Sequence, residues 1–132
     1  MILDTHVLLW MDRNDPALGP MARGRIEHAW RAGQVAVSAI SFWEAAMLAE
    51  RGRITLPVPI HRWRADWLQA GLTEIPLNGH IALQSCLLEN LHRDPADRFI
   101  VTTAMDRRLP LVTADQKILD WSGEVEKLNA GV

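Results

Sequence analysis

Four carboxylates stand at positions where the surrounding pattern calls for apolar side chains. Asp4 interrupts the run Met1-Ile2-Leu3…Val7-Leu8-Leu9, and Asp115 follows Leu109-Pro110-Leu111-Val112. Glu44 shares a helical stripe with Ile40, Met47 and Leu48, and Asp97 lies on the face of Ile100, Val101 and Ala104. An isolated ionised carboxylate is costly to bury and is almost never left unpaired in an interior. No Lys or Arg at the same helical or strand phase offers each acid a partner. A divalent cation would satisfy several at once, because hard oxygen ligands suit Mg²⁺ or Mn²⁺. The pattern predicts a metal-dependent hydrolase.

The elements that must position these acids alternate short apolar runs with longer amphipathic ones. Strands are predicted at residues 1–4, 35–38, 72–75, 111–113 and 125–128. Helices are predicted at 5–10, 16–32 (closed by Gly33), 41–51 (closed by Gly52), 59–70 (closed by Gly71), 79–88, 95–107 and 115–121, with 53–57 extended. Such alternation implies an α/β fold with a central parallel sheet of about five short strands, flanked by helices on both faces. Ligands in these folds bind beyond the carboxyl ends of the strands. Asp4 ends the first strand and Asp115 follows the fourth. Glu44 and Asp97 are expected in the first turns of helices beginning at that edge, so all four converge.

Each acid also has a structural alternative. Ser41-Phe42-Trp43-Glu44 has the spacing of a capping box. Asp94-Pro95-Ala96-Asp97 reads as an N-cap, a proline at the first helical position and an acid favoured by the helix dipole. Thr113 is placed to cap the helix holding Asp115. Asp4 has no helix terminus to explain it. His6 falls near Asp4, where it either orients a carboxylate or phosphate or is a solvated or core histidine. His92 beside Asp94 is similar.

The chain has 132 residues, 48% hydrophobic and 23% charged, with no repeat or linker, and is read as one domain spanning 1–132. A single cysteine, Cys86, excludes an internal disulfide and is expected in the core. Basic residues are missing from the first positions, and no apolar run approaches the ~18 residues of a membrane span, so a cytoplasmic location is predicted. Five histidines without H-E-x-x-H or close pairing argue against zinc, and neither a glycine-rich phosphate loop nor a nucleophile elbow occurs. An Asp ending the first strand also occurs in haloacid dehalogenase-type phosphatases, but Asp4-Thr5-His6 lacks their second acid. The net charge of −2 does not decide for or against nucleic acid, because local basic groups such as Arg51, Arg93, Arg98 and Lys117 set that affinity.

In their order along the chain, four segments resemble the PIN-domain ribonucleases, and within them the VapC-type toxins of type II toxin–antitoxin pairs. They are Met1-Ile2-Leu3-Asp4-Thr5-His6-Val7-Leu8-Leu9-Trp10, Ser38-Ala39-Ile40-Ser41-Phe42-Trp43-Glu44, His92-Arg93-Asp94-Pro95-Ala96-Asp97-Arg98-Phe99-Ile100 and Leu111-Val112-Thr113-Ala114-Asp115. The resemblance implies a PIN-like fold, Mg²⁺ or Mn²⁺, RNA cleavage, a cognate antitoxin and toxin homodimers. It makes Asp4, Glu44, Asp97 and Asp115 the catalytic and metal-holding quartet, with Asp94, Thr113, Thr5 and His6 as accessories. Arg98, Lys117 and Arg51 are the candidate RNA contacts. The rival from another class is a catalytically inactive binding or regulatory module of the same fold, whose acids merely cap helices. Among the six tryptophans, Trp63 and Trp67 lie one turn apart. They either pack their helix on the sheet or, with Trp43 and Met47, form an apolar groove for an antitoxin helix.

Overall fold

The apolar runs form a single parallel sheet in the computed structural model, which describes residues 1–132. Its strands are β1 (Ile2–Leu3), β2 (Ala36–Ser38), β3 (Thr73–Ile75), β4 (Leu111–Thr113) and β5 (Lys127–Asn129), in the order β3-β2-β1-β4-β5. Ile2 lies opposite both Ala36 and Leu111, and Leu3 opposite Val112. The chain therefore builds outward from β1 in one direction through β2 and β3, then crosses to β4 and β5. That reversal makes the carboxyl ends of β1 and β4 the topological switch point, the place where open α/β sheets bind their ligands.

Seven helices cover the sheet: α1 (Thr5–Asp12), α2 (Pro20–Arg31), α3 (Ile40–Glu50), α4 (Ile60–Ala70), α5 (Gly79–Cys86), α6 (Pro95–Arg107) and α7 (Gln116–Leu119). Because successive strand residues face opposite sides, Leu3, Val37 and Val112 join Val7, Leu8, Ile26, Phe42 and Trp63 in one core. Ile2, Ala36 and Leu111 join Ile100, Val101, Ala104 and Ile118 in the other. Helices on both faces, as the strand pattern implied, bury the central strands completely.

Several boundaries differ from the sequence expectation. Helix α2 starts at Pro20 instead of residue 16, because the Asp15 carboxylate takes the Ala17 N–H and turns the chain before Gly19 opens the helix. Strand β5 begins two residues late, since its pairing starts where Leu111 N–H reaches the Glu126 carbonyl. Residues 53–57 join no strand. Cys86, expected in the core, is exposed at the end of α5. Trp63 is buried at 2% exposure and stacks edge-on against Phe42, which settles its place in the core. Trp67 is half-buried between Trp30 and Trp63 and donates its indole N–H to Asp12 at 3.2 Å, whereas Trp43 stands 55% exposed.

Candidate metal centre

Asp4 is the residue immediately after β1, and it is only 3% exposed. One carboxylate oxygen accepts the Thr5 N–H at 2.8 Å, which makes Asp4 the N-cap of α1 and corrects the expectation that no helix terminus involves it. The other accepts the Thr113 hydroxyl at 2.7 Å. Capping does not explain the charge, since a neutral Asn or Ser caps as well. A buried anion with two neutral donors still lacks a cation.

Glu44 is the fifth residue of α3, one position deeper than expected, because the helix begins at Ile40 with Ala39 as its cap residue. The capping box with Ser41 does not form. Instead Glu44 Oε1 lies 2.5 Å from Thr5 Oγ1, and the Ser41 hydroxyl lies 2.9 Å from the same Thr5 oxygen. A hydroxyl has one proton, so with Glu44 ionised the Thr5 O–H donates its hydrogen bond to Glu44 and the Thr5 oxygen accepts the Ser41 O–H. Burial, followed by the negative fields of Asp4, Asp97 and Asp94, pushes Glu44 up to about 7 against the opposing Thr5 bond.

Asp97 is the third residue of α6, where the helix dipole favours an anion. Its Oδ2 meets His92 Nε2 at 2.6 Å. Burial first, then Asp4, Asp94 and Asp115, raises it to about 6, while the His92 bond pulls the other way. Asp115 follows β4 and is itself the N-cap of α7, accepting the Lys117 N–H at 2.9 Å, so Thr113 is not that cap. Thr113 accepts the Asp115 N–H at 3.0 Å while donating to Asp4, tying the ends of β1 and β4 together. His6 adds a second tie: its Nε2 accepts the Ala114 N–H at 3.0 Å, and its Nδ1 lies 3.6 Å from Asp4 Oδ2.

The remaining candidates divide. Asp94 is exposed and caps α6 through the Ala96 and Asp97 N–H groups, yet its charge is felt at both Glu44 and Asp97. Lys117 is exposed beside Asp115. Arg51 caps the far end of α3, about two turns beyond Glu44, and is not brought to the centre. The guanidinium of Arg98, an expected RNA contact, donates to the carbonyls of Ser85, Leu88, Leu91 and His92. His92, read beside Asp94 as either orienting a carboxylate or phosphate or a solvated or core histidine, meets Asp97 instead. A His-x-x-x-x-Asp spacing in a loop has no periodicity to flag it, yet His92, Asp97 and Asp115 each place a ligand atom within 4.8 Å of the others.

No Lys or Arg pairs with Asp4, Glu44, Asp97 or Asp115; their ionic contacts are the histidines alone. Partly buried oxygen donors that raise one another's proton affinity fit a hard divalent cation. Residues 1–122 match the PIN domain family. Over 122 residues the chain is 35% identical to Ribonuclease VapC22 of Mycobacterium tuberculosis, covering 89% of this chain and 88% of that protein. The chain belongs to the PIN-domain family, in its VapC branch. Its fold is shared by a toxin–antitoxin complex from Klebsiella pneumoniae (TM-score 0.65, 23% identity, 98% of this chain and 96% of that one). It is shared as well by VapBC2 from Rickettsia felis bound to a promoter DNA fragment (TM-score 0.71, 16% identity, 97% and 96%). Membership in the PIN family removes the phosphatase alternative. No helix of this PIN-domain chain is long and apolar enough to cross a membrane.

Proposed function

We propose that this VapC-type PIN protein, one domain over residues 1–132, is an endoribonuclease toxin dependent on Mg²⁺ or Mn²⁺. The observation that carries the reading is the set of four carboxylates gathered at the carboxyl ends of β1 and β4 without a basic partner. Asp4, Glu44, Asp97 and Asp115 would hold the cation, which when bound lowers the pKa of water and neutralises charge on phosphate oxygens.

The chain's own residues do the rest. Thr113 and the Thr5 N–H fix both oxygens of Asp4, and the Ser41–Thr5 hydroxyl relay fixes Glu44. In the metal-free protein burial holds the pKa of Glu44 near neutrality, so a cation taken up there would displace a proton from it. Lys117 stands exposed at the rim, where it can meet a substrate phosphate. RNA as substrate is supported by the printed name of the M. tuberculosis relative, and an antitoxin partner by the complexes that share the fold. A cytoplasmic homodimer, inhibited through a surface that includes exposed Trp43, completes the proposal.

The inactive-scaffold reading draws on the capping roles of Asp4 and Asp115, but those roles need no charge. Incubation of a labelled RNA with the purified protein separates the two. Cleavage with Mn²⁺, its loss on chelation and its loss in Asp97→Asn are expected; cleavage at full rate in chelator refutes the metal-dependent mechanism.

A further inference from the structure

His92 touches two of the four acids, and the sequence left open whether it orients a carboxylate or has no role at the site. Its nearness to Asp97 and Asp115 would let a nitrogen join the cation's ligands. The hydrogens argue otherwise. A carboxylate that holds a cation is ionised and offers only lone pairs, so with the cation bound the 2.6 Å contact to Asp97 Oδ2 places the proton on Nε2. The other ring nitrogen, Nδ1, is buried with no hydrogen-bond partner in the protein. To ligate through Nε2, the ring would have to move its proton to Nδ1, where no protein acceptor receives it. Histidine ligands almost always donate from the nitrogen that does not bind the metal.

Arg98 supplies the second half of the arrangement. Its Nε donates to the Ser85 carbonyl at 2.9 Å and Nη2 to Leu88 at 2.7 Å. Its Nη1 reaches Leu91 at 2.9 Å and His92 at 3.2 Å. One of these carbonyls, Ser85, is left open at the end of α5, and together the four fix the loop that carries His92. Arg98 is the neighbour of Asp97 on α6. The helical turn that presents Asp97 therefore also anchors the backbone of the residue bonded to it. No other protein donor reaches the Asp97 carboxylate.

We infer that His92, braced by Arg98, is a positioning residue that aims the Asp97 carboxylate at the cation and is not itself a ligand. The inference rests on the metal-dependent reading above. It is tested by calorimetric titration of the full metal-free chain with Mn²⁺ alone, in the absence of RNA. His92→Ala should weaken Mn²⁺ binding about ten- to a hundredfold, the usual effect of losing such a partner. His92→Gln, whose amide N–H reaches close to the Nε2 position, should restore most of the affinity. Arg98→Lys, which keeps the charge but loses the planar fork, should weaken binding in the same direction. If His92→Ala melts before titration, His92→Asn, whose amide is too short, takes its place with the same expected loss.

Equal Mn²⁺ affinity in wild type and His92→Ala overturns the positioning role alone. So does a Gln variant as weak as the Ala variant, or a parallel Zn²⁺ titration in which only Zn²⁺ affinity falls, the mark of a nitrogen ligand. A wild-type chain that takes up no Mn²⁺ overturns this inference together with the metal reading beneath it.

Discussion

Without metal, the PIN-domain centre should make the fold less stable as pH rises toward neutrality. Glu44 moves from an ordinary 4.5 to about 7 and Asp97 from 3.8 to about 6, in each case chiefly through burial. An acid whose folded pKa is raised binds more protons folded than unfolded. Its contribution is fully present below the unfolded pKa and is lost as pH climbs through the folded value. The window therefore runs from about pH 4 to about pH 7. At about 1.4 kcal/mol per tenfold change in proton affinity, the two acids set a ceiling of about 6 kcal/mol. Solvent at the rim screens both, which brings the expected loss to about 2–3 kcal/mol. Asp15 and Glu74 have lowered values and act oppositely, their contribution disappearing only as pH falls below the usual carboxylate range. Thermal unfolding of metal-free protein between pH 4.5 and 8 reads the effect directly. Asp4→Asn keeps the cap on Thr5 but removes a charge that raises both acids, so it should flatten the decline and raise the melting temperature near pH 7.5. Saturating Mn²⁺ should flatten it as well. A metal-free melting temperature that rises between pH 5 and 7.5, or an Asp4→Asn variant melting below wild type there, would refute mutual destabilisation of the acids.

Other substitutions separate structural from functional roles. Asp94→Ala removes the α6 cap and should cost about 0.5–2 kcal/mol by denaturant titration, with RNA cleavage retained. Trp63→Ala empties a fully buried site and should cost about 3–5 kcal/mol, whereas Trp43→Ala should leave unfolding and cleavage unchanged and selectively weaken inhibition in a titration with the cognate antitoxin.

Much of this centre was legible in the chain because charge in an apolar pattern is a local signal. Asp4 after Ile2-Leu3 and Asp115 after Leu111-Val112-Thr113 announced both the sheet edge and the site, and the alternation of elements announced the parallel sheet. What escaped depends on contacts far apart in sequence. The Thr5 hydroxyl meets Glu44 across 39 positions and Thr113 meets Asp4 across 109; no spacing rule encodes either. Arg98 looked like a free cation because its partners are backbone carbonyls, which carry no sequence identity. His92 was placed beside Asp94, but it lies in an irregular loop where periodicity is silent, so its contacts with Asp97 and Asp115 were not legible. The depth of Glu44 in α3 was misjudged because Ala39 already adopts helical dihedrals, so the helix opens before Ser41. Cys86 sits in an apolar run whose outer positions, Leu83 and Leu87, are exposed; composition alone could not tell inner face from outer.

The central claim is that Asp4, Glu44, Asp97 and Asp115 together form a divalent cation centre. Crystals soaked in Mn²⁺ and measured at its absorption edge test this most directly. An anomalous peak is expected at the carboxyl ends of β1 and β4, about 2.0–2.3 Å from carboxylate oxygens of Asp4 and Asp97. A peak bound elsewhere on the chain, or none at saturating Mn²⁺ with the four carboxylates in place, would contradict it.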